Sequence, residues 1–104
     1  MNNTRVLPEA FEDLSEAVDW YNDRRDGLGD EFADLFHSSV QRIQKNPYIH
    51  GMVYRAFRRH LFKRFPYSVY YRIHKKEIIV SLIFHLARNP KTLHRILRSR
   101  EKLS

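Results

Sequence analysis

Tyr67-Ser-Val-Tyr-Tyr-Arg-Ile-His74, Lys75-Lys76 and Glu77-Ile-Ile-Val-Ser-Leu-Ile-Phe-His85 form the stretch from which the rest of the chain is read. Aromatic and β-branched residues fill both flanks, as suits a pleated, half-buried surface. The lysine pair between them has the length of a two-residue hairpin turn. Two antiparallel strands are therefore expected, with side chains alternating between faces along each. Strict alternation sets Tyr67, Val69, Tyr71 and Ile73 against Ser68, Tyr70, Arg72 and His74. It likewise sets Ile78, Val80, Leu82 and Phe84 against Glu77, Ile79, Ser81, Ile83 and His85. The more apolar sets should meet a covering layer. The other side is expected to be an open face carrying Tyr70, Arg72, Ser81 and His85, framed by Arg58-Arg59-His60 and Arg88, with Ile79 and Ile83 as its apolar part.

Upstream of this hairpin, one further strand is expected within Tyr54 to Arg64, bounded by Phe65-Pro66 because proline cannot serve a central ladder. Before Pro47 the apolar period is helical. Leu7, Phe11, Leu14, Val18 and Tyr21 recur at spacings of three and four, and Leu28, Phe32, Leu35, Phe36, Val40 and Ile43 form a second stripe. Pro8 suits a first helical turn, and Glu9, Glu12 and Asp13 place negative charge near that helix N-terminus. Asp26-Gly27 stops the first helix and Asn46-Pro47 the second, which begins at about Leu28 or Asp30, so a tight turn should fold the two into an antiparallel hairpin. Arg5-Val6-Leu7 is expected as a short first strand. Downstream, Arg88-Asn89-Pro90 ends the sheet, and Lys91 to Arg100 is expected as a basic helix with Leu93, Ile96 and Leu97 on one side. The fold class is α+β: an N-terminal strand, an antiparallel helical hairpin packed on one face of an antiparallel β-sheet meander, and a short basic C-terminal helix. Residues 1–104 are expected to form a single domain, without repeat, linker or low-complexity segment.

The chain has 104 residues and no cysteine, which excludes a disulfide framework, a thiolate metal site and a cysteine nucleophile. No apolar run approaches the roughly 20 residues that cross a bilayer, and Met1-Asn2-Asn3-Thr4-Arg5 lacks the order of a signal peptide. A cytoplasmic protein with no membrane association is expected. The net charge of +7 is divided unevenly. Residues 1–46 hold 5 Lys and Arg against 10 Asp and Glu, a balance of −5; residues 47–104 hold 14 against 2, a balance of +12. Such a molecule attracts an anionic partner to one side and speeds the encounter. RNA, DNA and an acidic protein all qualify.

The histidines at 37, 50, 60, 74, 85 and 94 show no ligand pair at close helical spacing, so neither a metal site nor a cofactor is expected. No Ser-His-Asp motif is present. His85, with Ser81 on the same strand face, has the chemistry of an acid or base, although a structural hydrogen bond is its simpler role. Arg88 suits a phosphate or a partner carboxylate, and equally a solvated position. Arg58-Arg59-His60 and Lys63-Arg64 suit nucleic acid or an acidic protein segment alike. Trp20 and Tyr21 are most simply packing residues, and Phe65-Pro66-Tyr67 a structural turn.

Several of these fragments occur together in an order that resembles a known family. Leu7-Pro8-Glu9-Ala10, Trp20-Tyr21, Gly27-Leu28-Gly29 with Phe32, Asn46-Pro47, Arg64-Phe65-Pro66-Tyr67 leading into Tyr70-Tyr71, and His85 followed by Arg88-Asn89-Pro90 resemble the RelE/ParE toxin superfamily, in particular its ParE-like plasmid stabilisation members. The resemblance runs from about Arg5 to Arg95. It implies a toxin of a bacterial type II toxin–antitoxin system that arrests growth, neutralised by an acidic antitoxin encoded beside it, which wraps over the toxin. A higher-order toxin–antitoxin complex is compatible with it.

Two activities follow from the resemblance. The RelE branch cuts messenger RNA in the ribosome, where cations stabilise crowded phosphate oxyanions beside a positioned acid or base. A nuclease of that kind would use Arg59, Arg72, His85 and Arg88 here. Ser68, however, stands where that branch has its central arginine, and Leu61 falls near one of its lysines. These departures favour the ParE branch, which is associated with inhibition of DNA gyrase by binding, and lean away from an enzyme without deciding the question. A nucleic-acid-binding domain with no toxin role is the third reading, without a recognised module to support it. For antitoxin or target binding, the candidates are Arg58, Arg59, Lys63, Arg64, Tyr70, Arg72, Ile79, Ile83, Arg88 and Leu93.

Overall fold

The Lys75-Lys76 turn takes both lysines to positive φ, 50° and 64°, the backbone sign that a tight two-residue hairpin of type I′ requires. It joins β4 (Tyr67–His74) to β5 (Glu77–His85) in the computed structural model, which describes residues 3–103. Met1, Asn2 and Ser104, included in the single-domain expectation, lie outside the described residues. Around the hairpin stand β1 (Asn3–Val6), β2 (Met52–Tyr54) and β3 (Phe57–Leu61), giving a mixed five-stranded sheet of order β1-β5-β4-β3-β2. Only β1 is parallel to its neighbour, β5. The helices are α1 (Pro8–Arg24), α2 (Leu28–Lys45) and α3 (Pro90–Glu101), and the fold is α+β as expected. The strand expected between Tyr54 and Arg64 is β3, and β2 just before it makes a second small hairpin with it. Arg55, at φ 52°, turns the chain between β2 and β3.

Strict alternation fails in β5. Pairing runs Tyr70 with Leu82 and then Tyr71 with Val80, so Ser81 is an extra residue opposite no partner. Such a bulge moves every later side chain to the other face. Ile83 therefore joins Val69, Tyr71, Ile78 and Val80 under the helical hairpin, while Leu82 and Phe84 join Tyr70 and Phe57 on the reverse side. The reverse side is not open. Leu97 of α3 is fully buried against it, with Leu93 and Ile96 beside it. Tyr70, Ile79 and Ile83, expected on an exposed surface, are 2%, 0% and 4% exposed. The sheet is thus covered by the α1/α2 hairpin on one face and by α3 on the other.

The hairpin packs through small residues as well as large ones. Ala10, Leu14 and Ala17 are the buried side chains of α1, whereas Phe11, expected in the apolar stripe, is 49% exposed. Gly27 starts α2 from the left-handed region at φ 84°. Gly29 then lets the helices close together, since a Cβ there would lie 2.1 Å from the Val18 carbonyl oxygen. At the turn end of the hairpin Phe32 meets Phe62, Phe65 and Tyr67 with ring centres 4.9–5.1 Å apart, and Tyr21 meets Phe65 at 4.8 Å. Phe65-Pro66-Tyr67 is thus a structural turn whose rings seat the hairpin on β4.

A polar clamp holds the bulged strand. β1 pairs β5 only as far as Val80, which leaves the following edge groups without a ladder partner. Asp13 of α1 accepts from the Ile83 N–H at 3.1 Å, and Arg100 of α3 donates to the Ser81 carbonyl at 2.9 Å. Arg100 and Asp13 bond each other through both guanidinium nitrogens, at 2.5 and 3.2 Å. Three layers meet at these groups. At the opposite edge, His60 Nδ1 and His50 Nε2 lie 3.0 Å apart, joining β3 to the loop that follows α2. The Tyr71 hydroxyl holds the same loop by donating to the Pro47 carbonyl at 2.7 Å.

Two measurements check these devices. Asp13→Ala leaves a buried N–H and a largely buried guanidinium without their partner. Denaturant titration should show a loss on the order of 2–4 kcal/mol. Asp23→Ala, on the exposed side of α1, should stay within about 0.5 kcal/mol of the parent. The second concerns acid. Burial first, and then His50, Arg42 and Lys63 nearby, depress His60 from 6.5 to about 4. The unfolded chain therefore binds the extra proton between those values. The stabilising contribution of neutral His60 is complete above pH 6.5 and is lost progressively as pH falls toward 4. His60→Gln should flatten that part of the pH–stability curve.

Candidate functional site

Alternation along β3 separates the basic cluster that sequence places together. Arg59 shares the Tyr70 face, and Arg58 shares the Tyr71 face beneath the hairpin. Arg58 is committed there: its guanidinium donates to the His50 carbonyl at 2.6 Å and stands over the Tyr48 ring. Lys63 lies on the α2 side, beside Arg42 and His60. Arg64 pairs with Glu31 of α2 at 2.8 Å, which holds the Glu31 carboxyl below its ordinary value mainly through that hydrogen bond. Arg72 donates to the Glu101 carbonyl at the end of α3, and its Nε is buried with no partner among the described residues.

The remaining candidates line two hollows separated by Arg88. The first, of about 260 Å³, lies between β2, β3 and the start of α3 and has Arg59, Arg88, Tyr54, Leu93 and His94 on its walls and Tyr70 and Phe84 in its lining. Asn89 fixes the start of α3 by accepting from the Lys91 N–H at 2.8 Å, and Pro90 occupies the first turn, where no N–H is missed. That cap sets Leu93 into the hollow. His94 stacks flat on Tyr54, ring centres 4.1 Å apart, which latches α3 to the short edge strand.

The second hollow, of about 380 Å³, opens beside the unpaired end of β5 and has Glu16, Trp20, Tyr21, Tyr67, His85 and Arg88 on its walls. Trp20 is 49% exposed, so its expected packing role is only half met; the Arg24 guanidinium lies 3.3 Å above its ring centre. His85 Nδ1 accepts from the Ala87 N–H at 3.0 Å, which assigns the ring proton of neutral His85 to Nε2. Burial, then the nearby Tyr21 phenol, raises the Tyr67 phenol above its ordinary value, with Arg88 opposing. Arg88 itself lies over the Phe84 ring at 4.6 Å and reaches both hollows.

The four residues of the nuclease reading are therefore not gathered. Arg59 and Arg88 share one hollow, His85 and Arg88 the other, and Arg72 is tied beneath the end of α3. Among the described residues no group of three or more His, Cys, Asp or Glu is placed to hold a metal ion. No helix there is long and apolar enough to cross a membrane. Sequence reasoning missed Tyr54, His94, Glu16 and the exposure of Trp20. Only the cross-chain meeting of β2 with α3, and of α1 with β5, makes them neighbours.

Comparison with known proteins agrees with this architecture. The family model for the ParE toxin of the type II toxin–antitoxin system parDE matches residues 5–90. A solved structure described as the chromosomal ParDE TA system from P. aeruginosa is similar with a TM-score of 0.75 at 19% identity, over 83% of this chain and 97% of that one. The search of curated proteins finds no match.

Proposed function

Since this chain belongs to the ParE toxin family of type II toxin–antitoxin systems, we propose that it arrests bacterial growth by binding DNA gyrase, and that an antitoxin encoded beside it neutralises it by covering the Arg59–Arg88 hollow. The observation that supports binding over catalysis is the dispersal of Arg59, Arg72 and His85 to three different places. Cleavage of RNA by 2′-OH attack needs an acid or base and an oxyanion donor about 3 Å from the same phosphate. His85 faces a different hollow from Arg59, and Arg72 lies under α3. What the two hollows offer instead is aromatic and aliphatic walls with two exposed arginines, Arg59 and Arg88, the composition of a protein-binding site.

The antitoxin segment is taken to be acidic and partly apolar. Leu93, and the rings of Tyr54 and Phe84, supply apolar area, while Arg59 and Arg88 supply the charge that steers encounter. Exposed Leu86 extends the same surface, at 49% exposure.

Purified protein should inhibit gyrase supercoiling or trap cleaved DNA while ribosome-bound messages stay intact. Toeprint cuts in the ribosomal A site without a gyrase effect would establish the nuclease reading instead. For the antitoxin, calorimetry on Arg59→Glu and Arg88→Glu should show affinity falling roughly tenfold or more, with a slower association rate. Asp23→Lys and Asp34→Lys on the hairpin should change it little. A reversed order places the antitoxin on the hairpin side.

A further inference from the structure

α3 has two unlike faces. Leu93, Ile96 and Leu97 pack inward, and Arg100 turns inward to Asp13. Lys91, Arg95, Arg98 and Lys102 follow at spacings of four, three and four, which aligns them on the outward side. All four are exposed. At about 1.5 Å per residue they span roughly 16 Å of helix axis. Glu101, the only acidic residue after Glu77, bonds Arg55 at 3.0 Å. That pair carries Arg55 to the end of the row, where Arg55, Arg95, Arg98, Ser99, Glu101 and Lys102 surround a hollow of about 370 Å³. Arg98 spends one nitrogen on the Tyr54 hydroxyl at 3.1 Å, which fixes its direction.

We propose that this outward face of α3 is a docking surface for the phosphate backbone of duplex DNA, distinct from the Arg59–Arg88 hollow. The occupant follows from what the face holds and lacks. A protein partner needs apolar anchors for affinity, since charge alone gives mainly rate and salt sensitivity. The exposed row has arginine, lysine and a serine hydroxyl, the groups that contact phosphate without reading bases. A single strand would need free aromatic faces on which bases stack. Tyr54, which accepts from Arg98, and His94 are already stacked on each other. Duplex RNA presents a deep, narrow major groove, whereas a B-form major groove about 12 Å wide accepts a helix with its flanking phosphates. α3 begins at Pro90, where the family match ends. Duplex binding is thus argued from this chain's own C-terminal residues. With the gyrase reading above, it would bring the protein to its target on DNA, but it does not depend on that reading.

The test is fluorescence anisotropy with a labelled 20-base-pair duplex across a salt series. Micromolar or tighter binding at low salt is expected, with log affinity falling by roughly 4 per log unit of salt if about four phosphates are engaged. Arg95→Ala with Arg98→Ala should weaken binding at least tenfold and reduce that slope by about 2. Lys75→Ala with Lys76→Ala, on the β4–β5 turn, should leave both unchanged. Circular dichroism confirms that each variant is folded, and a charge-conserving Arg95→Lys, Arg98→Lys protein should retain most of the affinity. Absence of binding at low salt overturns the proposal. So does loss of binding in the turn variant but not the α3 variant, or tighter binding of single-stranded or duplex RNA. Gyrase inhibition by the parent protein is read in a separate assay, so failure here leaves the gyrase reading to its own result.

Discussion

Asp13 and Arg100 meet over the bulge in β5, and the rest of the arrangement depends on that contact. β5 carries an extra residue at Ser81, and its outer edge loses β1 just beyond Val80. A bulge at a sheet edge leaves backbone groups without partners, at a cost of about 1–3 kcal/mol for each buried group left unmet. Asp13 answers the Ile83 N–H and Arg100 the Ser81 carbonyl, while the two side chains neutralise each other. The pair is 15% and 19% exposed, so water screens it less than a surface pair. It therefore tells α1 and α3, on opposite faces of the sheet, where to lie relative to β5.

The binding surface is a consequence of that placement. By flipping the second half of β5, the bulge sends Leu82 and Phe84 toward α3 and Ile83 toward the hairpin. The sheet then offers no open face. What stays accessible are the two hollows at its margins, where α3 starts and where β5 loses its neighbour. Arg88 sits between them because the turn after His85, closed by the Arg88 N–H on the His85 carbonyl at 3.2 Å, must carry the chain from one face to the other.

α3 also separates two kinds of contact. Its inward residues are aliphatic and fasten it to Tyr70 and Phe57, and its outward residues are cationic. Tyr54 bridges both by stacking on His94 and accepting from Arg98. The strongly basic half of the chain is in this way divided into a groove bounded by apolar walls and a solvated row. The two surfaces suit different anionic partners.

The fold class, the two long helices, the β4–β5 hairpin with its lysine turn and the basic last helix are all legible in the linear chain, because each is set by local periodicity and by proline, glycine or turn residues close in sequence. The order of motifs from Leu7 to Pro90 likewise carries the family. Phe11 was misread because a helical stripe drawn through large residues passes over Ala10 and Ala17, which face α2 and the sheet. Tyr70 and Ile79 are buried because residues distant in sequence cover them, Leu97 of α3 in the case of Tyr70, and Ile83 is buried because the bulge at Ser81 turns it to the other face. Period-two alternation has no means of registering a bulge whose unpaired groups are met by Asp13 and Arg100, 70 and 19 residues away from their backbone partners. The same holds for the site. Sequence names Arg59, Arg88 and Leu93 as candidates from their chemistry, but only long-range packing decides that they share one hollow while Arg58, Lys63, Arg64 and Arg72 are turned to other contacts. Local propensity fixes elements, whereas the layer that covers each face, and hence what remains for a partner, is settled by contacts between residues far apart in the chain.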